Sequence, residues 1–233
     1  MLRRLLAASL IVAASSILAA CGGGDDTAST EAAAPTSAET AAPTATTPVS
    51  SAPTPAEGAA PWPAPPNPME LTIAAGLKPE VKELLKHHVH AHLDVFVNGQ
   101  PVEVPAGIGI DIENPGVNSG TLDDGTTAYG GIEECAERCI SPLHTHDVTG
   151  VLHTESAESV DNTLGEFFTE WGVALDESCV GGYCNDATTI AIYVDGELYE
   201  GNPADIALTD GKQIAIVIGT PPEEIPDSFL GFG

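Results

Sequence analysis

His88-Val89-His90-Ala91-His92-Leu93-Asp94-Val95-Phe96-Val97-Asn98-Gly99 alternates along its length. Val89, Ala91, Leu93, Val95 and Val97 fall on one face, and His88, His90, His92 and Asp94 on the other. That period of two predicts a strand with one buried face. Asn98-Gly99 favours a two-residue hairpin, because both turn positions need positive φ, and Gln100 to Val104 returns along the strand.

Further strands are expected at Ile108–Ile112 after the Pro105-Ala106-Gly107 turn, at Val151–Glu155 and at Gln213–Ile218. A second hairpin is expected at Thr188–Val194 and Glu197–Glu200 around Asp195-Gly196. Thr163-x-x-Glu166 reads as a capping box. Leu164, Phe167, Phe168 and Trp171 then recur at helical spacing before Gly172. A shorter helix is expected over Pro79–Lys86, with Val81, Leu84 and Leu85 on one side. Residues 113–134, rich in Gly, Asn, Asp and Thr, read as a long loop. The order predicts an α+β single domain: a twisted mixed β-sheet built from hairpins with one main amphipathic helix packed on it, β-grasp-like in arrangement.

Upstream, Arg3 and Arg4 precede an apolar run from Leu5 to Leu18, then Leu18-Ala19-Ala20-Cys21. Residues 1–20 have the pattern of a signal peptide, and the run falls short of the about 20 residues of a convincing membrane span. Leu-Ala-Ala-Cys resembles the lipobox of bacterial lipoproteins. The resemblance implies a mature chain beginning at a lipid-modified Cys21, exported and held to a membrane facing the periplasm or exterior. Residues 21–66 are mostly Ala, Thr, Pro, Ser and Gly with five acids, a composition that predicts a disordered tether. Residues 67–233 are the expected globular domain.

The chain holds 34 acidic and 7 basic residues. Arg3, Arg4 and five of the acids precede residue 67, which leaves 29 acids against five bases and a net of −24 in the domain. Such a surface repels nucleic acid and anionic lipid and attracts cations; it serves equally to keep an exported protein soluble. Cys135, Cys139, Cys179 and Cys184 remain beside Cys21. In an oxidising compartment an even set reads as two disulfides with three possible connectivities, with a four-thiolate zinc site as the alternative.

All seven histidines lie in two stretches, four in 87–92 and three in His144-Thr145-His146-Asp147-Val148-Thr149-Gly150-Val151-Leu152-His153. Imidazole near neutral pH is chiefly a metal ligand or proton carrier. If Thr149-Gly150 is a two-residue turn, Val148 faces Val151, Asp147 faces Leu152 and His146 faces His153, with Cβ atoms roughly 4.5–5.5 Å apart. His144 and Glu155 join the same face, and Asp147 is placed to orient a ring from behind. Expected metal ligands are therefore His88, His90, His92, His144, His146 and His153, with Asp94, Asp147 and Glu155 as a fourth ligand or supporting group. Whether the two stretches make one site or two is open. Zinc and copper suit imidazole donors; Met69 is the one methionine after residue 20, which disfavours a thioether Cu(I) site. His92-Leu93-Asp94 with a distant histidine also fits a two-histidine-one-carboxylate iron site, ranked third.

His90-Ala-His92-Leu-Asp94-Val-Phe-Val-Asn-Gly99, Leu143-His-Thr-His-Asp147-x-x-Gly150-x-x-His153 and Thr163-Leu-Gly-Glu-Phe-Phe168-x-x-Trp-Gly172 resemble a family of exported bacterial and archaeal proteins with no assigned activity. The likeness spans most of residues 88–219. Before His144, where that family is expected to carry aromatic residues, this chain has Ile140-Ser141-Pro142.

Three functions follow as expectations. The first is an extracytoplasmic, lipid-anchored protein that captures, buffers or delivers zinc or copper. The second is a metalloenzyme in which a three-histidine site activates water. The third is a surface binding or adhesion module whose histidines are structural or sense pH. Binding is favoured over catalysis. There is no G-x-S-x-G elbow, no glycine-rich phosphate loop and no H-E-x-x-H helix.

Overall fold

The computed structural model describes residues 57–229. The expected signal peptide, Cys21 and most of the tether lie outside those residues. In chain order the elements are α1 (Pro68–Ala74), β1 (His87–Val97), β2 (Gln100–Val102), β3 (Asn118–Thr121), β4 (Thr127–Gly130), β5 (Leu143–His144) and β6 (Val151–Ser156). There follow α2 (Leu164–Trp171), β7 (Cys179–Val180), β8 (Tyr183–Cys184), β9 (Ile190–Val194), β10 (Glu197–Tyr199), a single 3-10 turn at Pro203–Asp205, and β11 (Lys212–Ile218).

Seven strands form one sheet in the order β10-β9-β11-β1-β6-β5, with β2 also paired to β1. β1 runs parallel to β11 and antiparallel to β6 and β2, so the sheet is mixed, as expected. β1 lies inside the sheet beside the final strand, β11, and α2 follows β6 in sequence, so the described residues form an α+β domain. Both tight turns take the expected geometry: Asn98 and Gly99 have φ of 50° and 77°, Asp195 and Gly196 51° and 79°.

The alternation in β1 is realised in its packing. Ala91, Leu93 and Val95 are buried against Leu164, Phe167, Phe168 and Trp171 of α2 and against Ile214, Ile216 and Ile218 of β11. His88, His90 and His92 therefore occupy the opposite face of the sheet. β11, held between β1 and β9, is buried from Gln213 to Ile218, which explains its continuous apolar run. In α2 the capping box is complete: Glu166 N–H donates to the Thr163 hydroxyl and Thr163 N–H to the Glu166 carboxylate, and Gly172 closes the helix at φ 71°.

Several expectations are corrected. Residues 79–86 form no helix; their backbone is taken by a later segment. Glu80 N–H donates to Ile140 O, Cys139 N–H to Glu80 O and Cys135 N–H to Val81 O, while Leu85 stays 57% exposed. The short helix is instead α1. Ile108–Ile112 is a turn rather than a strand, because Gly107 and Gly109 adopt φ of 82° and 73°. A Cβ on Gly109 would lie 2.4 Å from Leu143 O, so this close approach requires glycine. Residues 113–134 contain the β3–β4 hairpin rather than only a loop. The folded region also begins before residue 67. Trp62 is 2% exposed, meets Trp171 edge-on at 5.6 Å, and its carbonyl accepts from Trp171 Nε1 at 3.2 Å. A large aromatic with so much apolar area to bury defines the domain edge better than the Pro-rich composition around it. The cysteines pair locally, Cys135 with Cys139 and Cys179 with Cys184, and form no four-thiolate zinc site.

Candidate metal centre

β1, β6 and β5 lie side by side and set the histidines in rows. His88 is opposite Glu155 and His90 opposite His153 across β1 and β6, while His144 is opposite His153 across β5 and β6. His153 thus stands between an imidazole on each neighbouring strand. This differs from the expected two-residue turn, which placed His146 opposite His153 and Asp147 opposite Leu152. β5 ends at His144 because the next residues bond elsewhere. The Thr145 hydroxyl donates to Pro105 O and accepts from Ile108 N–H, and His146 O accepts from Tyr129 N–H. Asp147 accepts from the Thr149 N–H and hydroxyl, so it shapes the loop rather than orienting a ring.

The longer loop still returns His146 to the cluster. Its Nε2 lies 3.2 Å from His144 Nε2 and 3.9 Å from Glu155 Oε1. His144 Nε2 is 3.9 Å from Glu155 Oε2, and His153 Nδ1 is 3.6 Å from Glu155 Oε1. His144 and Glu155 are buried and His146 and His153 half-buried.

Hydrogen bonding fixes two of the ring tautomers. His144 Nδ1 donates to Ser141 O at 2.9 Å and His146 Nδ1 to Tyr129 O at 2.5 Å. A carbonyl can only accept, so each neutral ring presents a bare Nε2. Those two lone pairs face one another beside a carboxylate. Glu155 Oε2 and His153 Nδ1 are buried without a hydrogen-bond partner. An electron-rich pocket of this kind calls for a positive centre.

Burial, then the neighbouring His146, holds His144 down to about 3, so it is neutral at ordinary pH; Glu155 pulls the other way and loses. Burial would raise the Glu155 carboxyl, yet the imidazoles of His146 and His153 close beside it and the field of His144 hold it well below the usual carboxylate range. Burial lowers His146, but Glu155 and the Tyr129 carbonyl more than offset it and leave its pKa raised. His153 is lowered, chiefly by burial and also by His146 and His88, against Glu155.

A tetrahedral ion with bonds of roughly 2.0–2.2 Å holds its donors about 3.3–3.6 Å apart. Four of the six donor spacings are 3.2 to 3.9 Å and all lie within 4.8 Å, so a modest contraction around an ion meets that requirement. His144, His146, His153 and Glu155 therefore form a buried His/Glu cluster that can hold a metal.

Of the other expected ligands, His88 and His90 approach His153 to make a second three-donor group. His92 and Asp94 are not brought in. The His92 ring bonds Thr149 O through Nε2 at 2.8 Å, lies 3.3 Å from Asp94 through Nδ1, and stacks on Phe229 at 5.1 Å. Asp94 in turn accepts from Gln213 Nε2. Sequence reasoning missed the carbonyls of Ser141 and Tyr129, which no side-chain pattern announces. It also missed Glu83, which with Asn118, Tyr129 and Gly131 lines an open recess leading to His146.

The fold and site define an α+β domain with a buried His/Glu cluster fit for a metal ion. Comparison with family models, curated proteins and solved structures gives no match.

Proposed function

We propose that this is an exported, lipid-anchored protein that binds a transition metal, zinc or copper, for capture, buffering or delivery outside the cytoplasm. The observation that carries the metal reading is the convergence of His144, His146, His153 and Glu155, with two rings already oriented by backbone carbonyls. Orientation of the first ligands by outer hydrogen bonds is a general feature of metal sites. Three neutral imidazoles and one carboxylate suit Zn²⁺ or Cu²⁺ rather than the hard cations that prefer all-oxygen donors. The proposed lipid anchor and compartment rest on the Leu18-Ala-Ala-Cys21 resemblance and the signal-like residues before it. Binding is favoured over turnover because the inner set supplies four protein donors, the closed condition of sites that hold metal rather than activate water.

The test is the metal content of the purified full chain, measured by elemental analysis, beside a His144→Ala/His146→Ala/His153→Ala variant. Wild type is expected to retain or take up Zn²⁺ or Cu²⁺ and the triple variant to lose it. Equal metal content in the two proteins, or a wild type that cannot be loaded, would overturn the reading.

A further inference from the structure

His88, His90 and His153 form a second group beside the inner one. One ring nitrogen from each lies within 4.8 Å of the others. The ring centroids of His88 and His90 are 4.6 Å apart, those of His90 and His153 4.6 Å, and those of His88 and His153 6.1 Å. His90 and His153 are register partners, and His88 sits two residues along the same face of β1. Among the described residues, no backbone carbonyl accepts from the His88 or His90 ring, unlike His92, His144 and His146.

Resting on the reading of the inner set as a metal site, we propose that the centre holds two metal ions. His144, His146, His153 and Glu155 hold an inner one, and His88, His90 and the shared His153 an outer one of the same class. Two features place them as neighbours rather than as rivals for one ion. His153 has two ring nitrogens, its Nδ1 facing Glu155, and it joins both ions as an imidazolate once its remaining ring proton has been released to solvent. Glu155 Oε1 lies 3.6 Å from that atom and also 3.2 Å from His88 Nε2, so an anionic oxygen stands at the seam between the two donor sets. A carboxylate between two cations offsets their mutual repulsion, and a domain net charge of −24 adds to the attraction. The outer set has three protein donors and includes exposed His88. Its ion therefore keeps a position open to water or to an acceptor and exchanges, while the four-donor inner ion is retained.

The experiment uses the full chain in a Cys21→Ser background, so that no free thiol competes; the other four cysteines are paired. After stripping with a chelator, Zn²⁺ is titrated in against a chromophoric competitor, and its release to excess chelator is followed. Wild type is expected to bind two equivalents, one released at least tenfold faster than the other. His90→Ala should bind one equivalent and lose the fast phase, and His146→Ala should keep the fast phase and lose the slow one. One equivalent in wild type, removed by His146→Ala and kept by His90→Ala, overturns the outer position and leaves the inner site standing. Two equivalents in His90→Ala overturn the assignment of the outer ligands. No uptake by wild type overturns both readings. Far-UV circular dichroism checks the variants; should His90→Ala misfold, the wild-type stoichiometry decides alone.

Discussion

At the scale of single residues, Glu155 is the pivot of the centre. It is a buried anion with four imidazoles within 4 Å: His88, His144, His146 and His153. Glu155→Gln keeps the shape and removes the charge. Loss of a merely outer partner weakens metal sites about 10–100-fold, so loss of a direct anionic donor is expected to weaken Zn²⁺ binding at least about tenfold, measured by competition titration. Protons compete for the same nitrogens. Because the His146 pKa is raised above 6.5, its proton begins to compete before an ordinary histidine would. Metal is therefore expected to bind more weakly as pH falls. Apparent Zn²⁺ affinity from competition titration across pH 5 to 8 checks this; an affinity that does not fall with pH would overturn it.

At the scale of elements, α2 carries two separable effects. Thr163→Ala removes the side chain that accepts Glu166 N–H and is expected to cost about 1 kcal/mol, seen as a lowered urea midpoint. On its far turn, Glu170 is fully buried and accepts from the Thr72 hydroxyl of α1 at 2.8 Å. Burial pushes its carboxyl up to about 8, against an ordinary 4.5. The folded state thus keeps a proton that the unfolded chain releases, so the contribution of this group is fully present below 4.5 and is lost as pH rises from there through 8. The slope from this group is at most about 1.4 kcal/mol per pH unit. Glu170→Gln should abolish that slope and leave the variant more stable than wild type at pH 8, measured by urea unfolding at pH 5, 6.5 and 8. Elements whose evidence is local were legible in the sequence: the alternation of β1, the turn pairs Asn98-Gly99 and Asp195-Gly196, and the box and aromatic stripe of α2. Residues 79–86 and 108–112 were not, because their conformation is set by partners at 132–145. The site shows the same division. Clustered histidines announced the donor types, and period two put His88 and His90 on one face of their strand, but it left open whether that face meets the one carrying His153. Yet the Thr149-Gly150 pair carried no sign that Tyr129 and Ile108 would claim the backbone of residues 145–146 and lengthen the loop. His146 reaches the cluster through a contact with β4, which no local pattern encodes.

At the scale of the molecule, the long excursion from β2 to β5 is what converts one open face of a sheet into a lined site. Ile110, Ile132, Ile140 and the Cys135–Cys139 pair make a small core of their own, and this core holds the turns that bond residues 141–146. The main core on the other face, from Trp62 to α2, contributes rigidity but no ligand. This separation predicts that the metal centre and the N-terminal attachment are independent modules. If Cys21 is the lipid-bearing residue, the full chain expressed in a bacterial host should sediment with membranes, and Cys21→Ser should leave it in the soluble exported fraction. Metal content per chain should be the same in both, because every donor of the inner set lies between residues 144 and 155. Membrane fractionation followed by elemental analysis reads both outcomes. A Cys21→Ser chain that stays with the membrane would overturn the anchor, and one that loses its metal would overturn the independence of the two.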